Sequence, residues 1–123
     1  MTEQKNVRPI SDLDQLNVTN YYYETSPMVC SNAMLFDISS GRLTNLRVQS
    51  GCNGNLQGIS RLSEGMRVDE VITRLAGISC AGRPDSCPNQ LSVALRQCLA
   101  EHGYAVPDVP APRDILSDLR DTI

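Results

Sequence analysis

The stretch Ala33-Met34-Leu35-Phe36-Asp37-Ile38-Ser39-Ser40-Gly41, continued by Asn45-Leu46-Arg47-Val48-Gln49, decides the fold. Met34, Phe36 and Ile38 alternate with polar Asp37 and Ser39, which is the period of a strand with one buried face. Ser40-Gly41 is a turn signal, and Leu46 and Val48 resume the alternation among Asn45, Arg47 and Gln49. The pattern predicts an antiparallel β-hairpin. Upstream, Tyr21-Tyr22-Tyr23 reads as the start of another strand, because aromatic side chains suit a half-buried pleat. Stacking of these rings on a nucleobase is the alternative use of the same residues.

Downstream of the hairpin the period changes. Leu56, Ile59, Leu62 and Met66 mark a first helix that begins near Asn53-Gly54-Asn55 and ends near Gly65. Val68, Val71, Ile72 and Leu75 mark a second, with Asp69 and Glu70 in its first turn and Gly77 as its stop. A third opens at Pro88, where a missing N–H costs nothing. It carries Leu91, Ala94, Leu95, Cys98 and Leu99 on one stripe and ends at Gly103. A hairpin followed by three amphipathic helices predicts an α+β fold, a small antiparallel sheet with the helices packed on one face.

The flanks are less regular. Residues 1–20 are mostly polar, with short apolar touches at Ile10, Leu13 and Leu16, and read as a flexible arm or one loosely docked helical turn. Residues 21–104 form the expected domain. Residues 105–123 are a Pro-rich linker and a short tail in which Ile115, Leu116, Leu119 and Ile123 recur among Asp and Arg.

The 123 residues suit one domain. With one Phe and no Trp, the core must be mainly aliphatic. A net charge of -3 argues against a nucleic-acid partner, which calls for a basic field. No apolar run approaches the roughly 20 residues that span a bilayer, and the first residues lack the apolar centre of a signal peptide. The expected location is the cytoplasm, away from membranes, where thiols stay reduced.

In that setting five cysteines call for sorting. Cys98 lies within an apolar helical stripe and reads as a small buried hydrophobe. Cys30, Cys52, Cys80 and Cys87 stand at element boundaries among Ser and Gly. Cys52 and Cys87 precede or open helices, whose N-terminal partial charge stabilises negative sulfur. Four thiolates suit tetrahedral zinc or an iron–sulfur cluster. The spacing is not diagnostic: 21, 27 and six residues separate the four in turn, with no C-x-x-C pair. Separate thiols in loops fit it too.

The residues around these cysteines carry a resemblance. Val29-Cys30-Ser31, Gly51-Cys52-Asn53-Gly54-Asn55-Leu56-Gln57-Gly58-Ile59-Ser60, Glu64-Gly65-Met66, Gly77-Ile78-Ser79-Cys80 and Asp85-Ser86-Cys87-Pro88-Asn89-Gln90-Leu91 resemble the TSCPD domain family. The Thr of the naming string is Asp85 here and its Asp is Asn89, while Ser86-Cys87-Pro88 stands. The resemblance implies Cys30, Cys52, Cys80 and Cys87 as one defining set. It also implies a link to ribonucleotide reduction, because such domains occur near the C-terminus of some adenosylcobalamin-dependent ribonucleotide reductases. A second resemblance is to NifU/IscU-type iron–sulfur scaffold domains, which order a cysteine before a hairpin, a Gly-Cys before a helix and a cysteine opening a final helix. Their Asp after the first cysteine and His before the last are replaced by Ser31-Asn32 and Ser86.

The expected function is therefore a metal-binding accessory or interaction module, non-catalytic on its own, with zinc as the metal and an iron–sulfur cluster as the alternative. Its expected partner is a protein, a reductase among the candidates, or a second copy met through the tail. Two other readings remain. The cysteines could relay electrons to a reductase by thiol–disulfide exchange, with Cys87 attacking. The glycine-rich 51–58 loop, through Gly51, Asn53, Gly54 and Asn55, could receive the phosphate of a nucleotide. That loop lacks a P-loop lysine. The single histidine, His102, falls at a helix end and reads as a surface residue, so no catalytic triad is expected.

Overall fold

The computed structural model describes residues 7–25, 33–49, 53–78 and 87–107, with the side chains of residues 53–56 excepted. A short 3-10 helix, Ile10–Gln15, leads into strands β1 (Val18–Glu24), β2 (Ala33–Ser39) and β3 (Arg42–Gln49). Helices α1 (Asn53–Ser63), α2 (Val68–Leu75) and α3 (Cys87–Glu101) follow. The strands form an antiparallel meander in the order β1-β2-β3. The architecture is α+β, as the change of period requires.

The buried face of the sheet is built by alternation. Met34, Phe36 and Ile38 of β2 are at most 2% exposed. They meet Val68, Val71 and Ile72 of α2 and Leu91, Ala94, Leu95, Cys98 and Leu99 of α3 in one core cluster. Ile59 of α1 packs against its margin. Phe36 is fully buried, and its ring centroid lies 5.2 Å from that of Tyr21. Burial of a side chain of this size contributes about 1.5–3 kcal/mol. In β1, Tyr21 and Tyr23 pack inward while Tyr22 is 58% exposed. The tyrosine run is thus a pleated strand, with two of its rings used in packing.

Two features depart from plain alternation. Leu43 and Leu46 are both buried although three residues apart. The register shifts between Leu35 and Asp37, so one residue of β2 faces two of β3, and Asn45 takes a φ of 55°. An extra residue of this kind returns the strand to its correct face. A matching shift lies in β1, where Asn20 also has a φ of 55°. Asn tolerates this left-handed region better than most residues.

Over residues 7–20 the leading segment is a docked helical turn, Ile10–Gln15, and not an arm. Leu13 is 0% and Leu16 4% exposed, and both belong to the core cluster. Their spacing puts them against the hairpin turn, where the Gly41 N–H donates to the Leu16 carbonyl at 3.0 Å and the Val68 N–H donates to the Gly41 carbonyl at 3.0 Å. One glycine thus joins the 3-10 helix, the hairpin and the start of α2. Ser40 and Gly41 both have positive φ, 49° and 78°, the geometry that matches a two-residue hairpin loop to strand twist.

The helix ends are specified locally. Tyr104 N–H donates to the Leu99 carbonyl and Gly103 N–H to the Ala100 carbonyl, with Gly103 at a φ of 80°. This is a Schellman closure, and its following residue, Tyr104, is buried at 4% exposure. After α1, the Glu64 carboxylate accepts the backbone N–H of Asn45 at 2.9 Å, which ties the helix to the β3 bulge.

Candidate metal centre

The described ends of the chain that lead toward the four cysteines gather at one pole. Glu24 pairs with Ala33 and Ala33 with Gln49, so the end of β1, the start of β2 and the end of β3 share one row of the sheet. Next to that row, the Tyr23 hydroxyl donates to Gln90 Oε1 at 3.3 Å. This bond brings the first turn of α3 to the same pole. The first turn of α3 in turn holds the end of α2: the Gly77 N–H donates to Asn89 Oδ1 at 2.8 Å. Gly77 stands at a φ of 84°, which ends α2 sharply.

Cys87 opens α3 at this pole and is half-buried against the core margin. Cys30, Cys52, Cys80 and Gly51 lie outside the described residues. Asn53, Gly54 and Asn55 form the first turn of α1. Among the described residues no group of three His, Cys, Asp or Glu side chains is arranged to hold a metal. Cys87 is the one member of the expected set that they include.

Cys98 takes no part in this pole. It is 0% exposed in the core, and burial, with Glu101 adding to it, pushes its thiol up to about 12. His102 Nδ1 lies 2.8 Å from the Cys98 carbonyl and 3.8 Å from its sulfur. A thiol held protonated in an aliphatic core is no nucleophile, so the pair is structural.

Neither spacing nor period in the sequence announces the residues that build the pole: Tyr23, Asn89 and Gln90. Asn89 was visible only as a replacement in a motif, yet its amide is what seats α2 on α3. Gln90, 5% exposed, is a buried polar residue on an otherwise apolar stripe, and that was the available signal. On the opposite sheet face a polar group is equally unannounced. Asp37 accepts from the Asn20 N–H and from Asn45 Nδ2, and Arg47 Nη2 lies 3.7 Å from its carboxylate.

No helix among the described residues is long and apolar enough to cross a membrane. The profile of the TSCPD domain matches residues 13–99, which is more than half of the chain. No curated protein and no solved structure matches, so the likeness to NifU/IscU-type scaffold domains rests on residue order alone.

Proposed function

The chain belongs to the TSCPD domain family, and from that premise we propose that it is a zinc-binding accessory module whose ligands are Cys30, Cys52, Cys80 and Cys87. One observation carries the reading. The described residues that flank all four cysteines meet at one pole through the Glu24–Ala33–Gln49 row, the Tyr23–Gln90 bond and the Gly77–Asn89 bond. Cys30 is three residues from Ala33, Cys52 three from Gln49 and Cys80 three from Gly77. At roughly 3.3–3.6 Å per extended residue, each can stray no more than about 11 Å from its anchor. That reach is compatible with convergence on Cys87.

The donor set suits the metal. Four thiolates and no histidine favour tetrahedral zinc held structurally, with no coordination position left open for a substrate. Such a site ties four chain segments together, and its role is to set the shape of a surface for a protein partner. Ribonucleotide reduction supplies the proposed context, with a reductase as the partner. The competing use of the same thiols is disulfide relay, which Cys87 at a helix start also suits.

Element analysis of protein purified under reducing conditions, without added metal, separates these uses. The reading expects about one zinc per chain. Iron with acid-labile sulfide in equal amount would replace zinc by a cluster. Metal-free protein that cycles between dithiol and disulfide would support the relay instead.

A further inference from the structure

An apolar groove of about 400 Å³ runs between α1 and α2. Ile59, Leu62 and Met66 line one wall, and Val71, Arg74 and Leu75 the other. Leu62 is 80% exposed, more than any other large hydrophobic side chain among the described residues. Arg74 makes no hydrogen bond or ion pair with any described residue. With Leu62 exposed at its rim, the groove offers an apolar surface that a short amphipathic segment can cover.

We propose that residues 113–123 of the same chain occupy this groove as a short amphipathic helix. The segment is outside the described residues, and its sequence carries the argument. In a helix, Ile115, Leu116, Leu119 and Ile123 fall on one side, with Ser117 opposite. Asp118 borders that stripe on one side and Arg120 on the other, so seating the Asp118 edge against α2 gives Arg74 a partner of opposite charge. Too short to hold a helix in water alone, the segment gains one by laying its apolar side on Ile59, Leu62 and Met66.

The route is short. The chain leaves the domain at Tyr104, whose hydroxyl donates to the Asp12 carbonyl at 3.3 Å. The same 3-10 helix binds Arg67, through Asp14 Oδ1 at 3.3 Å and the Ile10 carbonyl at 3.4 Å. Arg67 follows Met66 directly, and Met66 lines the groove. The 3-10 helix of six residues, roughly 12 Å long, lies between exit and groove, with the Tyr104 and Arg67 side chains reaching it from either side. Residues 107–112 include Pro107, Pro110 and Pro112, and at about 3.1 Å per residue they span roughly 19 Å. The segment lies beyond the family match, which ends at residue 99, so this cover is a feature added to the domain.

The test uses the full chain with labelled methionine and leucine methyl groups, observed by NMR, with mass in solution followed by light scattering. Leu119→Asp is expected to move the Met66 and Leu62 methyl signals, while Ser117→Asp, the same charge on the far side, leaves them in place. The wild-type mass should remain that of one 13.5 kDa chain. Unmoved signals in Leu119→Asp, or equal movement in Ser117→Asp, overturn the proposal. So does a shift seen only where the wild type is dimeric, because the groove then holds the tail of a second copy.

Discussion

The Asp37 carboxylate accepts the backbone N–H of Asn20 at 2.7 Å, and so the central strand holds the bulge of its neighbour. Its other oxygen takes Asn45 Nδ2 at 3.3 Å on the opposite side. Both asparagines sit at a φ of 55°, so one carboxylate serves two left-handed residues. These bulges keep Tyr21 and Leu46 turned toward the core, where a one-residue slip would turn them outward.

That arrangement predicts an acid-sensitive sheet. The Asn20 N–H, then Asn45 and Arg47, hold the Asp37 carboxyl below its usual range. A depressed folded-state value gives stability that is present above the unfolded value of about 3.9 and lost as pH falls through the folded one. Urea midpoints measured on the acid side of neutrality should fall less steeply for Asp37→Asn than for the wild type. Parallel curves would show that this carboxylate does not couple folding to protons.

Two glycines should respond in opposite directions to alanine. At Gly41 a Cβ would lie 2.5 Å from the Leu13 carbonyl oxygen, at a φ of 78°. The left-handed backbone alone costs about 1–2 kcal/mol, and the 3-10 helix must also move, so Gly41→Ala should be clearly destabilising. At Gly58, within α1, a Cβ meets nothing within 4 Å. Gly58→Ala should gain about 0.5–1 kcal/mol from helix propensity. Urea denaturation of the two variants beside the wild type checks both signs.

A high-pH transition should belong to Tyr21. Burial, opposed by the Gln97 amide and reinforced by Glu101, raises its phenol to about 12. Its hydroxyl donates to Glu101 Oε1 at 2.9 Å and accepts from Gln97 Nε2 at 3.0 Å. A raised folded value means that its contribution to stability is complete below about pH 10 and is lost as pH rises through the folded value. Phenolate absorbance of the folded protein should show a late step near pH 12, missing in Tyr21→Phe. A Tyr21→Phe curve that keeps the late step would assign it elsewhere.

Most of the fold was legible because its periods are unmixed. The hairpin alternation around Phe36, the 3.6 period from Val68 to Leu75, Pro88 at a helix start and Gly103 at its end each correspond to an element in place. What was not legible depended on tertiary contact. Asn20 and Asn45 bulge because Asp37 waits between them, and no local pattern announces that. Leu13 and Leu16 look like isolated apolar residues until Gly41, lacking a Cβ, admits the backbone beside them. Of the candidate site, the sequence indicated four cysteines at element ends and Cys98 in the core. The Tyr23–Gln90 and Gly77–Asn89 bonds that draw those ends together join distant parts of the chain, beyond the reach of spacing.

The central claim is that four thiolates, and not the fifth, hold one metal ion. Cobalt(II) in place of zinc reports this directly, since its visible spectrum depends on geometry and its thiolate charge-transfer absorption grows with each sulfur bound. The account predicts one tetrahedral cobalt per chain with the intensity of four thiolates. Cys98→Ala should leave that spectrum intact, and Ser at Cys30, Cys52, Cys80 or Cys87 should each weaken it by about one quarter or abolish binding. An octahedral spectrum without sulfur charge transfer, or an unchanged spectrum in Cys87→Ser, would contradict it.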